Sequence, residues 1–136
     1  MTSRTPDTSV VVAGLGAWHP DHDMARPVLA QRPPVIAHVL AESYSILTRL
    51  PRPRRLAPDL VFAALLAAFP TDPVTLAPDA IRPLLERLVA HGIVGGSTYD
   101  AVVAETARQH NLTLITLDKR ARATYDTVGV AAESPT

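Results

Sequence analysis

The chain has 136 residues, a length that fits one domain spanning residues 1–136 and that suffices to bury a hydrophobic core. Cysteine is absent, which excludes disulfides, thiolate zinc sites and a cysteine nucleophile, so any metal ion must be bound by oxygen or imidazole. The 13 basic and 13 acidic residues balance, and no apolar segment is long enough to span a membrane. These features predict a cytoplasmic protein with no overall attraction for polyanions.

The first half of the chain predicts alternating strands and helices. Residues 9–15 form a continuous apolar, β-branched run that predicts a first strand buried on both faces. A helix over about residues 20–30 follows, and two prolines then precede a short strand over residues 35–37. Apolar residues at helical spacing predict the next helix over residues 39–50, which places Glu42 on a helix just after a strand.

The second half continues the alternation. It predicts helices over residues 57–68, 78–91, 99–110 and 119–125, and strands over residues 73–76, 112–117 and, weakly, 128–131. Strands that alternate with helices predict a three-layer α/β/α domain with a mainly parallel central sheet.

Four carboxylates stand where a predicted element begins or ends: Asp7, Glu42, Asp100 and Asp118. Ligands of parallel α/β domains bind at the carboxyl ends of the strands, so acids at element ends can meet there. Asp7 precedes its predicted strand and joins the cluster only if that strand begins close to it. Crowded carboxylates need a cation, and Mg²⁺ or Mn²⁺ suits oxygen ligands. Such a site predicts phosphodiester hydrolysis.

Each acid also has a structural interpretation. Asp100 closes a capping-box pattern, Asp118 can cap the following helix, and Asp7 can form an Asx turn. Glu42 can form a salt bridge with Arg49. Against these interpretations, Asp100 and Glu42 border the apolar stripe of their helices, where a carboxylate needs a partner.

Four short motifs together resemble those of PIN-domain ribonucleases, in the same order and at similar intervals. They are Asp7-Thr8-Ser9-Val10-Val11-Val12, Ala41-Glu42-Ser43-Tyr44, Tyr99-Asp100-Ala101-Val102-Val103-Ala104 and Thr116-Leu117-Asp118. The resemblance covers nearly the whole chain. The compact length and the segment Leu114–Asp118 look most like VapC toxins of bacterial toxin–antitoxin pairs.

The resemblance implies a PIN-like fold and an endoribonuclease, the toxin of a type II toxin–antitoxin system, that cuts transfer or ribosomal RNA. It implies that the four acids bind one or two Mg²⁺ or Mn²⁺ ions and position the attacking water. Ser9 and Thr116 match polar positions that support the acids through hydrogen bonds. It also implies a homodimer and a VapB-type antitoxin that occupies the active-site groove. Many relatives carry an aromatic residue shortly after the last acid, whereas Asp118 is followed by Lys119 and Arg120.

Arginine forks suit phosphate oxygens, so the clustered basic residues are candidates for RNA binding. The candidates are Arg49, Arg52, Arg54, Arg55, Lys119 and Arg120. A solvated loop is the alternative for the arginine segment. Tyr44, Tyr99 and Trp18 can stack bases, with packing as the alternative for each, and His38 lies one helical turn before Glu42.

Three other functions compete. A phosphoacceptor receiver domain needs an adjacent acidic pair after the first strand and a late lysine, which are missing or misplaced here. A haloacid-dehalogenase-type phosphatase needs an Asp-x-Asp pair, of which Asp7-Thr8-Ser9 has only the first member. A catalytically silent PIN-like module that binds RNA or a protein partner stays open as the alternative from another class.

Overall fold

The computed structural model describes residues 3–136. Its elements are, in chain order, β1 (Ser3–Pro6), α1 (Thr8–Leu15), α2 (His22–Ala30), α3 (Ala37–Arg49), α4 (Pro58–Ala68), α5 (Ile81–His91), α6 (Ser97–Gln109), β2 (Leu112–Ile115), α7 (Lys119–Val128) and β3 (Ala132–Glu133). A single 3₁₀ turn, Pro78–Ala80, leads into α5. Across residues 3–136, no helix has both the length and the apolar character that a membrane crossing requires.

The sheet is parallel, and β2 lies between β1 and β3. Thr5 of β1 pairs with Leu114, and Leu114 in turn pairs with Ala132 of β3. A further parallel bridge joins Ile36 and Val74. Helices cover both faces, so the predicted three-layer α/β/α architecture with a parallel sheet is confirmed.

The strand predicted over residues 9–15 is wrong, because this segment is helix α1. Asp7 caps the helix by accepting a hydrogen bond from the backbone N–H of Val10. Nearly every residue of α1 is buried, so its apolar run lacks the polar face that would have indicated a helix. The true first strand is the polar segment Ser3–Pro6, which places Asp7 directly after a strand.

The remaining strand predictions are wrong in extent or position. The segments predicted over residues 35–37 and 73–76 are reduced to the single Ile36–Val74 bridge. The final strand predicted over residues 128–131 begins only at Ala132, because α7 continues to Val128. Gly129, with φ of 95°, ends that helix in a conformation that favours glycine.

A buried carboxylate ties the helices α5, α6 and α7 together. Glu105 of α6 is 4% exposed and accepts hydrogen bonds from Arg108 at 2.7 Å and from Arg87 of α5 at 3.3 Å. Arg87 also donates to the carbonyl of Val128 at the end of α7. The two guanidinium groups hold the pKa of Glu105 below its usual value. This network lies apart from the four acids considered below and stabilises the fold.

Candidate active site

Asp7 stands at the carboxyl end of β1 and is held by hydrogen bonds at both of its oxygens. Its backbone N–H extends the sheet by donating to Ile115 at 2.9 Å. Its Oδ1 accepts from the hydroxyl of Ser9 and from the N–H of Val10, and its Oδ2 accepts from the hydroxyl of Tyr125 at 2.7 Å. The side chain is almost fully buried. Three donors therefore fix the orientation of one carboxylate.

Asp118 follows β2 and begins α7. Its Oδ1 accepts from the backbone N–H groups of Arg120 and Ala121, so the N-cap predicted as its structural alternative is present. Its own N–H donates to Thr116 Oγ1 at 3.0 Å. Ser9 accepts from the N–H of Leu117 at 2.9 Å and so links the loop after β2 to Asp7. Ser9 and Thr116 therefore lie in the hydrogen-bond network that holds two of the acids.

Glu42 and Asp100 come from helices α3 and α6. The carboxylate of Glu42 lies 3.7 Å from His38 Nε2, one helical turn earlier, and within residues 3–136 it is this histidine, not Arg49, with which Glu42 pairs. Asp100 is the fourth residue of α6, whose N-cap is Gly96, so the capping-box interpretation of Asp100 is wrong.

The four acids line one small, polar cavity of about 50 Å³. The other lining residues are Thr8, Ser9, His38, Tyr99, Val103 and Tyr125. The pKa of Asp100 is raised to about 6, chiefly by burial and further by the negative charges of Asp118, Glu42 and Asp7. Burial also raises the pKa of Asp7, although the hydrogen bonds that it accepts from Ser9, Tyr125 and Val10 oppose that rise. The acids therefore form one electrostatic unit.

The donor set of this cavity suits a hard divalent cation, because it offers carboxylate oxygens and excess negative charge. Within the described chain, no three His, Asp or Glu side chains already stand in the geometry of a metal site. The side chains would therefore have to move closer together before three carboxylates could bind one ion. A cation placed between like charges favours such a movement.

A wider cleft of about 520 Å³ adjoins the cavity and shares Glu42 and Asp118 with it. Lys119 and Arg120, which are exposed, form part of its wall, together with His19. The cleft therefore places two positively charged side chains beside the acids, where an anionic polymer that enters the cleft would contact them.

The arginine segment lies elsewhere on the surface. Arg49 ends α3, and Arg52, Arg54 and Arg55 follow in the connection to α4. Arg52 and Arg55 border a separate open depression, whereas Arg54 lies over the ring of Trp18 at 5.0 Å. The structure thus brings together Lys119, Arg120 and the acids but does not bring the arginine segment into the acidic cavity.

Tyr125 is the site residue that the sequence did not indicate. It lies seven residues after Asp118 on the inner face of α7 and is 1% exposed. A tyrosine on an amphipathic helix ordinarily indicates core packing, and only the fold reveals that its hydroxyl reaches Asp7.

Comparisons with known proteins give the family of this chain. Residues 5–126 match the PIN domain family. The chain is 42% identical over 128 residues to Ribonuclease VapC40 from two strains of Mycobacterium tuberculosis, and the match covers 94% of this chain and 96% of the relative. It is 41% identical over 125 residues to Ribonuclease VapC27 from Mycobacterium tuberculosis, and this match covers 91% of this chain and 90% of the relative.

The fold also resembles a solved structure, the crystal structure of FitAcB from Neisseria gonorrhoeae. The TM-score is 0.68 at 21% sequence identity, and the match covers 96% of each chain. At that identity the likeness concerns the fold. The family match and the two ribonuclease relatives show that the chain belongs to the PIN-domain family and, within it, to the VapC ribonucleases.

Proposed function

We propose that this chain is a metal-dependent endoribonuclease that acts as the toxin of a type II toxin–antitoxin system. It hydrolyses RNA phosphodiester bonds, with Asp7, Glu42, Asp100 and Asp118 holding Mg²⁺ or Mn²⁺. The observation that carries the proposal is the convergence of these four acids on one cavity. The two VapC ribonucleases to which the chain is about 42% identical support the choice of RNA as substrate.

The residues of the chain have separable tasks in this reaction. Asp7 is oriented before substrate arrives, because Ser9, Val10 and Tyr125 occupy its oxygens with donors. Glu42 is 40% exposed and faces both the cavity and the adjoining cleft, where the scissile phosphate and the attacking water would lie. A divalent ion, when bound, polarises a phosphate oxygen and lowers the pKa of a coordinated water.

Lys119 and Arg120 are proposed to hold the RNA backbone next to the cut, because they line the cleft beside Asp118. The segment containing Arg49, Arg52, Arg54 and Arg55 is proposed as a more distant phosphate contact, since it is exposed but outside the cavity. Ser9 and Thr116 are proposed to support the acids rather than to touch the substrate.

We expect a VapB-type antitoxin, a homodimer and a cytoplasmic location. Two exposed apolar surfaces support the expectation of protein partners. One is a groove of about 250 Å³ between α3 and α4 that includes Tyr44, Phe62 and Leu66. The other is a stripe along α5 formed by Ile81, Leu85 and Val89, which follow one another at intervals of four residues.

The test is incubation of the purified chain with total cellular RNA, with Mg²⁺ or Mn²⁺ or with EDTA, followed by mapping of new RNA ends. We expect discrete, metal-dependent cuts that Asp100→Asn abolishes. Asp126→Asn is the matched control, because Asp126 is an exposed aspartate on α7 outside the cavity. Intact RNA under every condition, from folded wild-type protein that still binds RNA, would favour the catalytically silent binding module.

A further inference from the structure

Tyr99 is a large aromatic residue that the hydrophobic core does not use. Its side chain is 56% exposed and is not one of the buried residues of the hydrophobic clusters. It lies in the first turn of α6, immediately before Asp100, and lines the same cavity as the four acids. A ligand that enters the cavity would therefore meet an exposed aromatic ring at its edge.

The imidazole ring of His38 stacks on one face of the Tyr99 ring. The two rings lie nearly parallel, with centroids 5.3 Å apart and an interplanar angle of 10°. His38 comes from α3, one turn before Glu42, so the stacked pair joins two helices that each supply an acid. Its Nε2 makes no hydrogen bond in the described chain, and the carboxylate of Glu42 lies 3.7 Å from it. The pair therefore forms a positioned flat surface beside the acids.

The other aromatic residues that were candidates for base stacking lie in different surroundings. Trp18 packs against the core, with Arg54 over its ring, and its indole lies so close to Gly16 that an added Cβ would be 3.0 Å away. Tyr44 lines the apolar groove between α3 and α4. Of the tyrosines and tryptophan in residues 3–136, Tyr99 alone combines an exposed ring with a place at the acidic cavity.

We propose that Tyr99, supported by His38, is a stacking platform for the nucleobase adjoining the scissile phosphate. This inference rests on the proposed ribonuclease function. Single-stranded RNA exposes its bases, and aromatic side chains bind them face to face. One face of the Tyr99 ring is occupied by His38, so the base stacks on the other. Stacking of this kind accepts every base, so the platform contributes affinity and register more than sequence selection.

The test uses short single-stranded RNAs that contain the cleavage site mapped for the wild type. We expect Tyr99→Phe to retain KM, and Tyr99→Leu to raise KM about tenfold with little change in kcat, because only the aromatic face is lost. Val94→Ala removes an exposed apolar side chain from the loop before α6, outside the cavity and outside the apolar groove, and is the control.

A second substrate separates stacking from a structural effect. An RNA with an abasic residue next to the scissile phosphate should raise KM for the wild type to the level of Tyr99→Leu. It should cause no further rise in that variant. A fall in kcat alone would instead indicate that Tyr99 acts through the position of Asp100, and an unchanged KM in Tyr99→Leu would overturn the platform.

Binding measured in EDTA distinguishes this inference from the proposed function. Fluorescence anisotropy of labelled RNA should show weaker binding by Tyr99→Leu whether or not the wild type cuts. If the wild type binds RNA without cutting, catalysis fails while the platform stands. Equal RNA binding by both proteins would overturn the platform, and a change of oligomeric state in Tyr99→Leu would instead make Tyr99 a contact between protein chains.

Discussion

Replacing Asp100 by asparagine should stabilise the metal-free protein while it abolishes cleavage. Asp100 is the acid to choose, because its pKa is raised by burial and by the charges of Asp118, Glu42 and Asp7. Asp7 is less suitable, because the amide nitrogen of an asparagine there would replace one of the two oxygens that accept from Ser9 and Tyr125.

The magnitude follows from the rise in the pKa of Asp100 from 3.8 to about 6. At 1.36 kcal/mol per pKa unit, that rise corresponds to about 3 kcal/mol. Because the side chain is only half-buried, solvent screening reduces this to about 1.5 kcal/mol. For a chain of this length the expected increase in Tm is about 5 °C.

The sign depends on pH. Above pH 6 Asp100 is ionised in both the folded and the unfolded chain, and the folded state is destabilised by the full cost of holding this buried charge near the other acids. Below about pH 3.8 it is protonated in both states, and the penalty disappears. Asp100→Asn should therefore be more stable than wild type at pH 8, and the difference should fade as the pH falls from 6 to 4.

The assay is urea unfolding in EDTA at pH 8 and at pH 4, with Asp126→Asn as the control for removal of an exposed charge. Added Mg²⁺ should stabilise the wild type more than the variant, because the wild type has one more carboxylate to bind and to be neutralised by the cation. A variant that is no more stable than wild type at pH 8 would refute the reasoning. A difference that persists unchanged at pH 4 would refute it as well.

Three further changes test other parts of the molecule. Tyr125→Phe removes the donor to Asp7 Oδ2, and we expect kcat to fall about tenfold and the free energy of unfolding to fall by about 1 kcal/mol; unchanged kcat would leave Tyr125 a packing residue. Glu105→Gln should lower the free energy of unfolding by about 2 kcal/mol at pH 7, because both arginine partners lose their anion. The pKa of Glu105 is lowered in the folded chain, so the difference in unfolding free energy between wild type and variant should shrink as the pH falls through that lowered pKa. Urea unfolding at pH 3 measures this. Lys119→Ala combined with Arg120→Ala should weaken RNA binding and reduce the slope of log K against log salt by about 1.4; an unchanged slope would place the RNA backbone away from this wall of the cleft.

The sequence could predict the layer architecture and the four acids, but it misassigned the element next to the first acid. Val10, Val11 and Val12 favour a strand by their β-branching and show no polar face. They nevertheless lie in a helix, and the polar face is missing because nearly every residue of α1 is buried against the sheet and the neighbouring helices. The usable signal was Asp7 itself, an N-cap residue placed directly before the apolar run.

Other parts of the site could not be predicted because they depend on contacts between distant segments. The hydroxyl of Tyr125 meets Asp7 across 118 positions of sequence, and Ser9 bonds to Leu117 across 108. The sequence offered Tyr99 for base stacking together with Tyr44 and Trp18, and only its exposure beside the acids and its stacking on His38 distinguish it from them. The strand Ser3–Pro6 is equally hidden, because it has little apolar character of its own.

Two of the four acids also cap helices, and this affects which inactive variants a cell would retain. Asp7 and Asp118 hold the first turns of α1 and α7, and loss of such a cap typically costs about 1 kcal/mol. Glu42 and Asp100 lie inside α3 and α6, where backbone amides bond to preceding carbonyls instead. Among colonies that escape growth arrest, full-length protein that accumulates to normal levels should therefore carry changes at Glu42 or Asp100. Changes at Asp7 or Asp118 should coincide with reduced abundance.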